Sequence, residues 1–259
     1  MLCREFWPGP LTLVAPAAQH VPSILMAGTG FVAVRSPRHN TARKLLEHAK
    51  IPLAAPSANK FGHVSPTTAD HVWDDLKMEP VWILEDDETS PCDIGVESTV
   101  AKLESTDSNF VLTILRQGAV SADDLKCCLI DQDNLTVQSN LKRATSDDVA
   151  NVAPGQTIRH YSPHVPSFVT SRHCTVNNEA SLQNTVIVDF GGRLSSWKSA
   201  ALAYRDLSPN GDSAQAAQCL FDTLRWAESV DGARRIFFPE MDDSNDALFL
   251  ALHDRLLRA

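Results

Sequence analysis

Val32-Ala-Val-Arg35-Ser-Pro37, then Thr41 to Ala49, then Ile51-Pro-Leu-Ala-Ala-Pro56-Ser57-Ala-Asn59, closing on Ser65-Pro66: the reading of this run decides the fold. Phe31 to Val34 is apolar and β-prone, which predicts a short buried strand ending at Arg35 and stopped by Pro37. Thr41 to Ala49 repeats Ala42, Leu45, Leu46 and Ala49 at helical spacing, with Asn40 or Thr41 as its cap. Pro52 to Ala55 is a second apolar run cut off by Pro56, so Ser57 and Asn59 are expected where a buried strand ends. Ligands of open α/β sheets bind at strand ends. A guanidinium, a hydroxyl and an amide there suit a small anion, because Arg forks onto phosphate or carboxylate and the others complete its hydrogen bonds. Spacing alone leaves a second reading open, in which Pro56-Ser57-Ala58-Asn59 is an ordinary turn and Arg35 a surface ion-pair partner.

The whole chain is consistent with a globular α/β protein. Its 259 residues are 43% hydrophobic and 21% charged. No apolar run approaches the ~20 residues of a membrane helix. Arg4 ahead of Leu11 to Ala18 superficially resembles a signal peptide, but Glu5, Pro8, Pro10 and Pro16 argue against one. Six cysteines without CxxC spacing read as reduced thiols of a cytoplasmic or organellar protein. The net charge of −9 argues against nonspecific nucleic-acid binding as the main task. Up to Pro66, however, seven basic residues face two acidic ones, giving +5 and leaving −14 for the remainder. That asymmetry fits a local anion site.

Further along, Leu11–Val14, Val81–Leu84, Ser98–Leu103 and Phe110–Leu115 read as strands. Thr67–Leu76 reads as a helix capped near Ser65 or Thr67, and Ser121–Leu129 as a helix capped by Ser121 with Asp124 three residues on. Glu85–Pro91 reads as a solvated acidic loop. Arg116-Gln117-Gly118 again puts a cation at a strand end, beside a glycine expected to let backbone approach a ligand. Cys127–Pro154 reads as a linker with one strand at Leu135–Val137. His160 and His164 are four apart, but Pro163 between them rules against helical ligand geometry, so no metal site is expected. From Ser167 onward, strands at Phe168–Val169, Thr185–Phe190 and Ile236–Phe238 alternate with helices at Asp212–Val230 and Asn245–Arg258, a parallel α/β pattern. Gly191-Gly192 lacks the spacing of a dinucleotide fingerprint.

Seven motifs in order resemble the YrdC-like family of threonylcarbamoyl-AMP synthases. They are Phe6-Trp7-Pro8-Gly9-Pro10-Leu11-Thr12, Arg35-Ser36-Pro37, Ala55-Pro56-Ser57-Ala58-Asn59, Ser65-Pro66-Thr67, Gly95-Val96-Glu97-Ser98-Thr99-Val100, Ile114-Leu115-Arg116 and Arg159-His160-Tyr161-Ser162-Pro163. The resemblance is to the longer, two-domain form. It implies an incomplete YrdC-like α/β catalytic domain with a twisted mixed sheet over residues 1–129. A linker and active-site lid would follow over 130–165, and a small Rossmann-like parallel α/β accessory domain over 166–259. The implied reaction makes threonylcarbamoyl-adenylate from L-threonine, bicarbonate and ATP with release of pyrophosphate, for a tRNA modification. Arg35, the Ala55 backbone and Ser98 would hold threonine. Ser57, Asn59, Ser65, Arg116 and Tyr161 would hold ATP, which would arrive with Mg2+, and no protein metal site is implied.

The family's upstream Lys-x-Arg segment has no counterpart here, so no catalytic residue is assigned. The expectation is that roughly the first third of the catalytic domain is missing and that the chain as written has little activity. Phe31, Phe61 and Gln117 stand where family members carry Thr, Ser and Pro. Implied partners are the downstream tRNA threonylcarbamoyl-transfer machinery, and double-stranded RNA binding is a property linked to such folds. The competing reading is a catalytically inactive, truncated nucleotide- or RNA-binding protein.

Overall fold

The computed structural model describes residues 1–84, 93–106, 109–140, 160–171, 182–241, 244 and 246–259. The chain forms two compact units, each discontinuous in sequence: Met1–Pro56 with Glu97–Ile158, and Ser57–Val96 with Arg159–Ala259.

The first unit is built on a five-stranded mixed sheet of β1 (Leu11–Pro16), β2 (Phe31–Val34), β3 (Thr99–Thr106), β4 (Asn109–Arg116) and β5 (Leu135–Ser139), in the order β2-β1-β3-β4-β5. β1 runs antiparallel to β2 and parallel to β3, β3 antiparallel to β4, and β4 parallel to β5. Period-two alternation sorts the side chains. Leu11, Ala101, Leu112 and Ile114 face the helices α1 (Leu2–Phe6) and α4 (Ala122–Cys128), burying Leu2 and Leu125 with them. Val14 and Val100 face the other way, with Phe31, Ala33 and Leu115 beside them. α4 starts as expected. Ser121 Oγ accepts from the Asp124 N–H and the Asp124 carboxylate accepts from the Ser121 N–H, which satisfies two helix-end donors.

The second unit has a four-stranded parallel sheet of β6 (Ser167–Thr170), β7 (Thr185–Asp189), β8 (Ala203–Asp206) and β9 (Arg235–Pro239), ordered β6-β9-β7-β8. Helix α5 (Ser213–Ser229), capped by Asp212, buries Ala216, Ala217, Leu220, Phe221, Leu224 and Ala227 against it. Helix α6 (Ala247–Arg258) is capped by Asp246 and adds Phe249, Leu252 and Leu256. α3 (Ala69–Leu76) belongs to the same unit.

Several local expectations are corrected. Pro52–Ala55 is neither strand nor buried, so Ser57 and Asn59 do not follow a buried strand. β2 is an edge strand, half-buried rather than buried. Val81–Leu84 is not a strand, and its apolar side chains are exposed. α2 (Asn40–Ala49) forms, but it is capped by His39 Nδ1 and fully buries none of its apolar face. α3 is capped by Thr68, one residue beyond the expected Thr67. β8 and α1 are additional elements. Glu85–Pro91, Arg159 and residues 141–154 of the expected linker lie outside the described residues.

Candidate active site

In the first unit, the strand pairing gathers three of the motif side chains, those of Thr12, Ser98 and Arg116, at one end of the sheet. Leu11 pairs with Thr99 and Thr12 with Val100, which sets Ser98 at the start of β3 beside the start of β1. Thr12 and Val14 share a face, and Ser98 shares it through Val100. Thr12 Oγ1 and Ser98 Oγ are accordingly 2.6 Å apart, one donating to the other. Leu13 pairs with Val34, so continuing that antiparallel register places exposed Arg35 opposite Thr12.

Arg116 closes the other side. Val100 pairs with Arg116 and Ala101 with Ile114, so Leu115 is skipped in a β-bulge. Under strict alternation Arg116 would share the helix-covered face of Ile114, and the bulge breaks that alternation. The guanidinium donates to the Ser98 carbonyl from Nε at 3.2 Å and from an Nη at 2.9 Å, and reaches Ser98 Oγ at 3.3 Å. Gly118 makes this approach possible in a way different from the sequence expectation. A Cβ there would lie 2.3 Å from the Thr99 nitrogen and 2.5 Å from the Ser98 carbonyl carbon, so the glycine admits the neighbouring strand rather than a ligand. Thr99 Oγ1 ties the same turn down by donating to the Val120 carbonyl at 2.7 Å.

The remaining candidates fall as follows. Ala55 lies in the first unit and is exposed. Ser57, Asn59, Ser65 and Tyr161 belong to the second. Ser57 is exposed. Asn59 Nδ2 donates to the Lys60 and His63 carbonyls, both at 2.9 Å, while its Oδ1 is buried with no hydrogen-bond partner among the described residues. Ser65 is buried, and Tyr161 is fully buried, stacked on Phe221 at 5.4 Å with the Arg255 guanidinium 5.4 Å from its ring. Phe31 pairs with Pro16, at the opposite end of β1 from Thr12, and carries the Lys102 ammonium 3.9 Å over its ring.

Two sets of residues were missed by sequence reasoning. Thr12 stands in the first motif but drew no role, because only the β1–β3 register reveals its contact with Ser98. The second set is a buried polar cluster in the second unit. His63 Nδ1 faces both oxygens of Asp75, at 3.0 and 2.9 Å, and Nε2 faces Glu228 Oε1 at 2.9 Å. Arg225 pairs with Asp75 at 2.9 Å and donates to the Val64 and Ser65 carbonyls. Burial opposes protonation of His63, but hydrogen bonds and charge from Glu228 and Asp75 outweigh it and raise the imidazole's pKa. Burial would raise Asp75, but hydrogen bonds from Arg225 and His63 pull its carboxyl down to about 2. Glu228 is likewise lowered, with burial opposing and His63 prevailing. The ring of His164 stacks on that of His63 at 4.3 Å, so His164 has histidine and carboxylate neighbours that its own spacing from His160 did not show.

Fold and site together define an α/β protein whose mixed sheet ends in paired hydroxyls beside the Arg116 guanidinium, a setting suited to a small anionic substrate. Comparison with known proteins gives this class its family. Residues 1–118 match the Sua5/YciO/YrdC family model, described as "Telomere recombination", and residues 120–259 match the model "Threonylcarbamoyl-AMP synthase, C-terminal domain". The chain belongs to the threonylcarbamoyl-AMP synthase family. It is 38% identical over 169 residues to the threonylcarbamoyl-AMP synthase of Pyrococcus abyssi, covering 65% of this chain and 46% of that protein. The corresponding enzyme of Schizosaccharomyces pombe is 36% identical over 166 residues, 62% of this chain and 39% of its own length. The matched stretch thus spans less than half of these relatives. A crystal structure of P. abyssi Sua5 complexed with L-threonine superposes with a TM-score of 0.78 at 30% identity, covering 100% of this chain and 72% of that one.

Proposed function

We propose that this chain carries the chemistry of a threonylcarbamoyl-AMP synthase. The amine of L-threonine adds to bicarbonate with loss of water to give a carbamate. A carbamate oxygen then attacks the α-phosphorus of ATP, and the bond to the β-phosphate oxygen breaks, releasing pyrophosphate. Such adenylyl transfer needs positioning and neutralised charge more than a protein nucleophile. Arg35, the Ala55 backbone and Ser98 receive threonine, with Thr12 fixing the Ser98 hydroxyl. Ser57, Asn59, Ser65, Arg116 and Tyr161 receive ATP, which arrives as its Mg2+ complex. In this reading residues 1–129 are the catalytic part, 130–165 the linker and lid, and 166–259 the accessory part. The product passes to a tRNA threonylcarbamoyl-transfer machinery in the cytoplasm.

The observation that carries the reading is the Thr12–Ser98–Arg116 cluster, with Arg35 in register beside it. It is tested by titrating L-threonine into the intact endogenous protein and its Ser98→Ala variant. Saturable threonine binding, weakened about ten-fold or more in the variant through loss of a charge-assisted hydrogen bond, supports it. Equal binding by both would remove Ser98 from the site.

A further inference from the structure

The turn from Asn59 to Ser65 is carried by a charge cluster whose proton count its own geometry decides. His63 has both ring nitrogens against carboxylates, Nδ1 on Asp75 and Nε2 on Glu228. Ionised carboxylates only accept hydrogen bonds, and a neutral imidazole has one N–H. Two such contacts therefore require two N–H groups. His63 is only 5% exposed, and the Glu228 oxygen itself occupies the second nitrogen at 2.9 Å. The charges agree. Asp75 on α3 and Glu228 on α5 bring two negative charges, and Arg225 on α5 brings one positive. A protonated His63 completes neutrality, whereas a neutral one leaves a lone pair facing the Glu228 oxygen in a buried site. The other groups facing the cluster are His164, stacked on the ring, and the Lys60 N–H, which donates to Asp75 at 3.3 Å. Beyond Arg225 lie His71 and its neighbour Asp222.

A divalent cation is the competing occupant, since ligand atoms of His63, His164 and Glu228 lie within 4.8 Å of one another. The two imidazoles, however, are stacked with planes 14° apart and centroids 4.3 Å apart. One ion cannot lie in the planes of two rings so arranged, and ligation needs it in both. The geometry favours the proton.

The consequence reaches the nucleotide-binding motif. The His63 carbonyl accepts from Asn59 Nδ2, and Arg225, on the same helix as Glu228, donates to the Val64 and Ser65 carbonyls. Asn59 Oδ1, buried and unpartnered among the described residues, is thereby fixed in direction. We propose that His63 acts as a proton-dependent latch, an imidazolium bridging Asp75 and Glu228, that positions Asn59 and Ser65 for the nucleotide. The link to the nucleotide rests on the proposed synthase reading; the latch itself does not.

The test uses the intact endogenous protein and two variants, His63→Gln and Glu228→Gln. Side-chain nitrogen NMR of His63 at neutral pH should show both ring nitrogens protonated, with a titration midpoint above the ordinary 6.5. Glu228→Gln should lower that midpoint. The ATP dissociation constant should rise by up to about ten-fold per pH unit above the midpoint, as linkage requires. In His63→Gln, whose amide donates from one end only, ATP binding should be weak and flat over the same range. A neutral tautomer, or a midpoint at or below 6.5, overturns the latch. Zn2+ binding that raises the melting temperature of the parent protein but not of His63→Gln would overturn it in favour of a metal site. If ATP fails to bind at any pH, the nucleotide reading falls while the NMR titration still decides the latch.

Discussion

Replacing Asp75 by Asn should be one of the costliest single changes in the second unit. The side chain is buried and its carboxylate serves three donors: Arg225 at 2.9 Å, His63 Nδ1 at 2.9 Å and the Lys60 N–H at 3.3 Å. Lowering a carboxyl from 3.8 to about 2 corresponds to roughly 2 kcal/mol of folded-state preference for the ion. Asn also leaves Arg225 buried beside a neutral group, and breaking a buried pair from one side costs about 3–5 kcal/mol. We therefore expect urea denaturation of the intact protein at pH 7 to show a loss of about 3–5 kcal/mol. The pH profile gives an independent check. Asp75 is depressed, so its contribution is present above its unfolded value of 3.8 and is lost as pH falls toward about 2. His63 is raised, so its contribution is present below 6.5 and is lost as pH rises through its folded value. The cluster should stabilise most between about pH 4 and 6.5, and Asp75→Asn should flatten that maximum. A loss under about 1 kcal/mol with the maximum intact would refute the reasoning.

Three further outcomes follow from the first unit. Arg116→Ala should weaken ATP binding by about 1.5–3 kcal/mol, the worth of a charge-assisted hydrogen bond, as read by calorimetry; unchanged affinity would remove Arg116 from the site. Gly118→Ala forces a Cβ against the Ser98–Thr99 backbone and should lower the melting temperature while weakening threonine binding; a variant matching the parent in both would show that the turn can yield. Ser121→Ala removes one half of the capping box and should cost about 1 kcal/mol in urea denaturation with substrate binding unchanged.

What was legible in the sequence was what local chemistry controls. Leu11–Val14, Ser98–Leu103 and Phe110–Leu115 alternate or run apolar and became β1, β3 and β4, while Ser121 with Asp124 became a capping box. The apolar stripe of α5 was equally plain. Short apolar runs misled where no neighbouring strand takes them up, as at Pro52–Ala55 and Val81–Leu84. β8 was missed because Ala-Tyr-Arg-Asp has no apolar run and sits at a sheet edge. The sheet-end cluster was half legible. Ser98 and Arg116 stood in motifs, but their contact depends on a β-bulge that no local pattern announces. His63, Asp75 and Glu228 were invisible for a simpler reason. Histidine 63 and glutamate 228 are 165 residues apart, and each alone reads as an ordinary surface residue.

The central claim is adenylyl transfer onto a carboxylate built from threonine and bicarbonate, and pyrophosphate release tests it most directly. With the intact endogenous protein and Mg-ATP, we expect release that needs both L-threonine and bicarbonate and that falls when Ser98 is replaced by Ala. Release indifferent to threonine, or none at all under conditions where ATP and threonine both bind, would contradict the account.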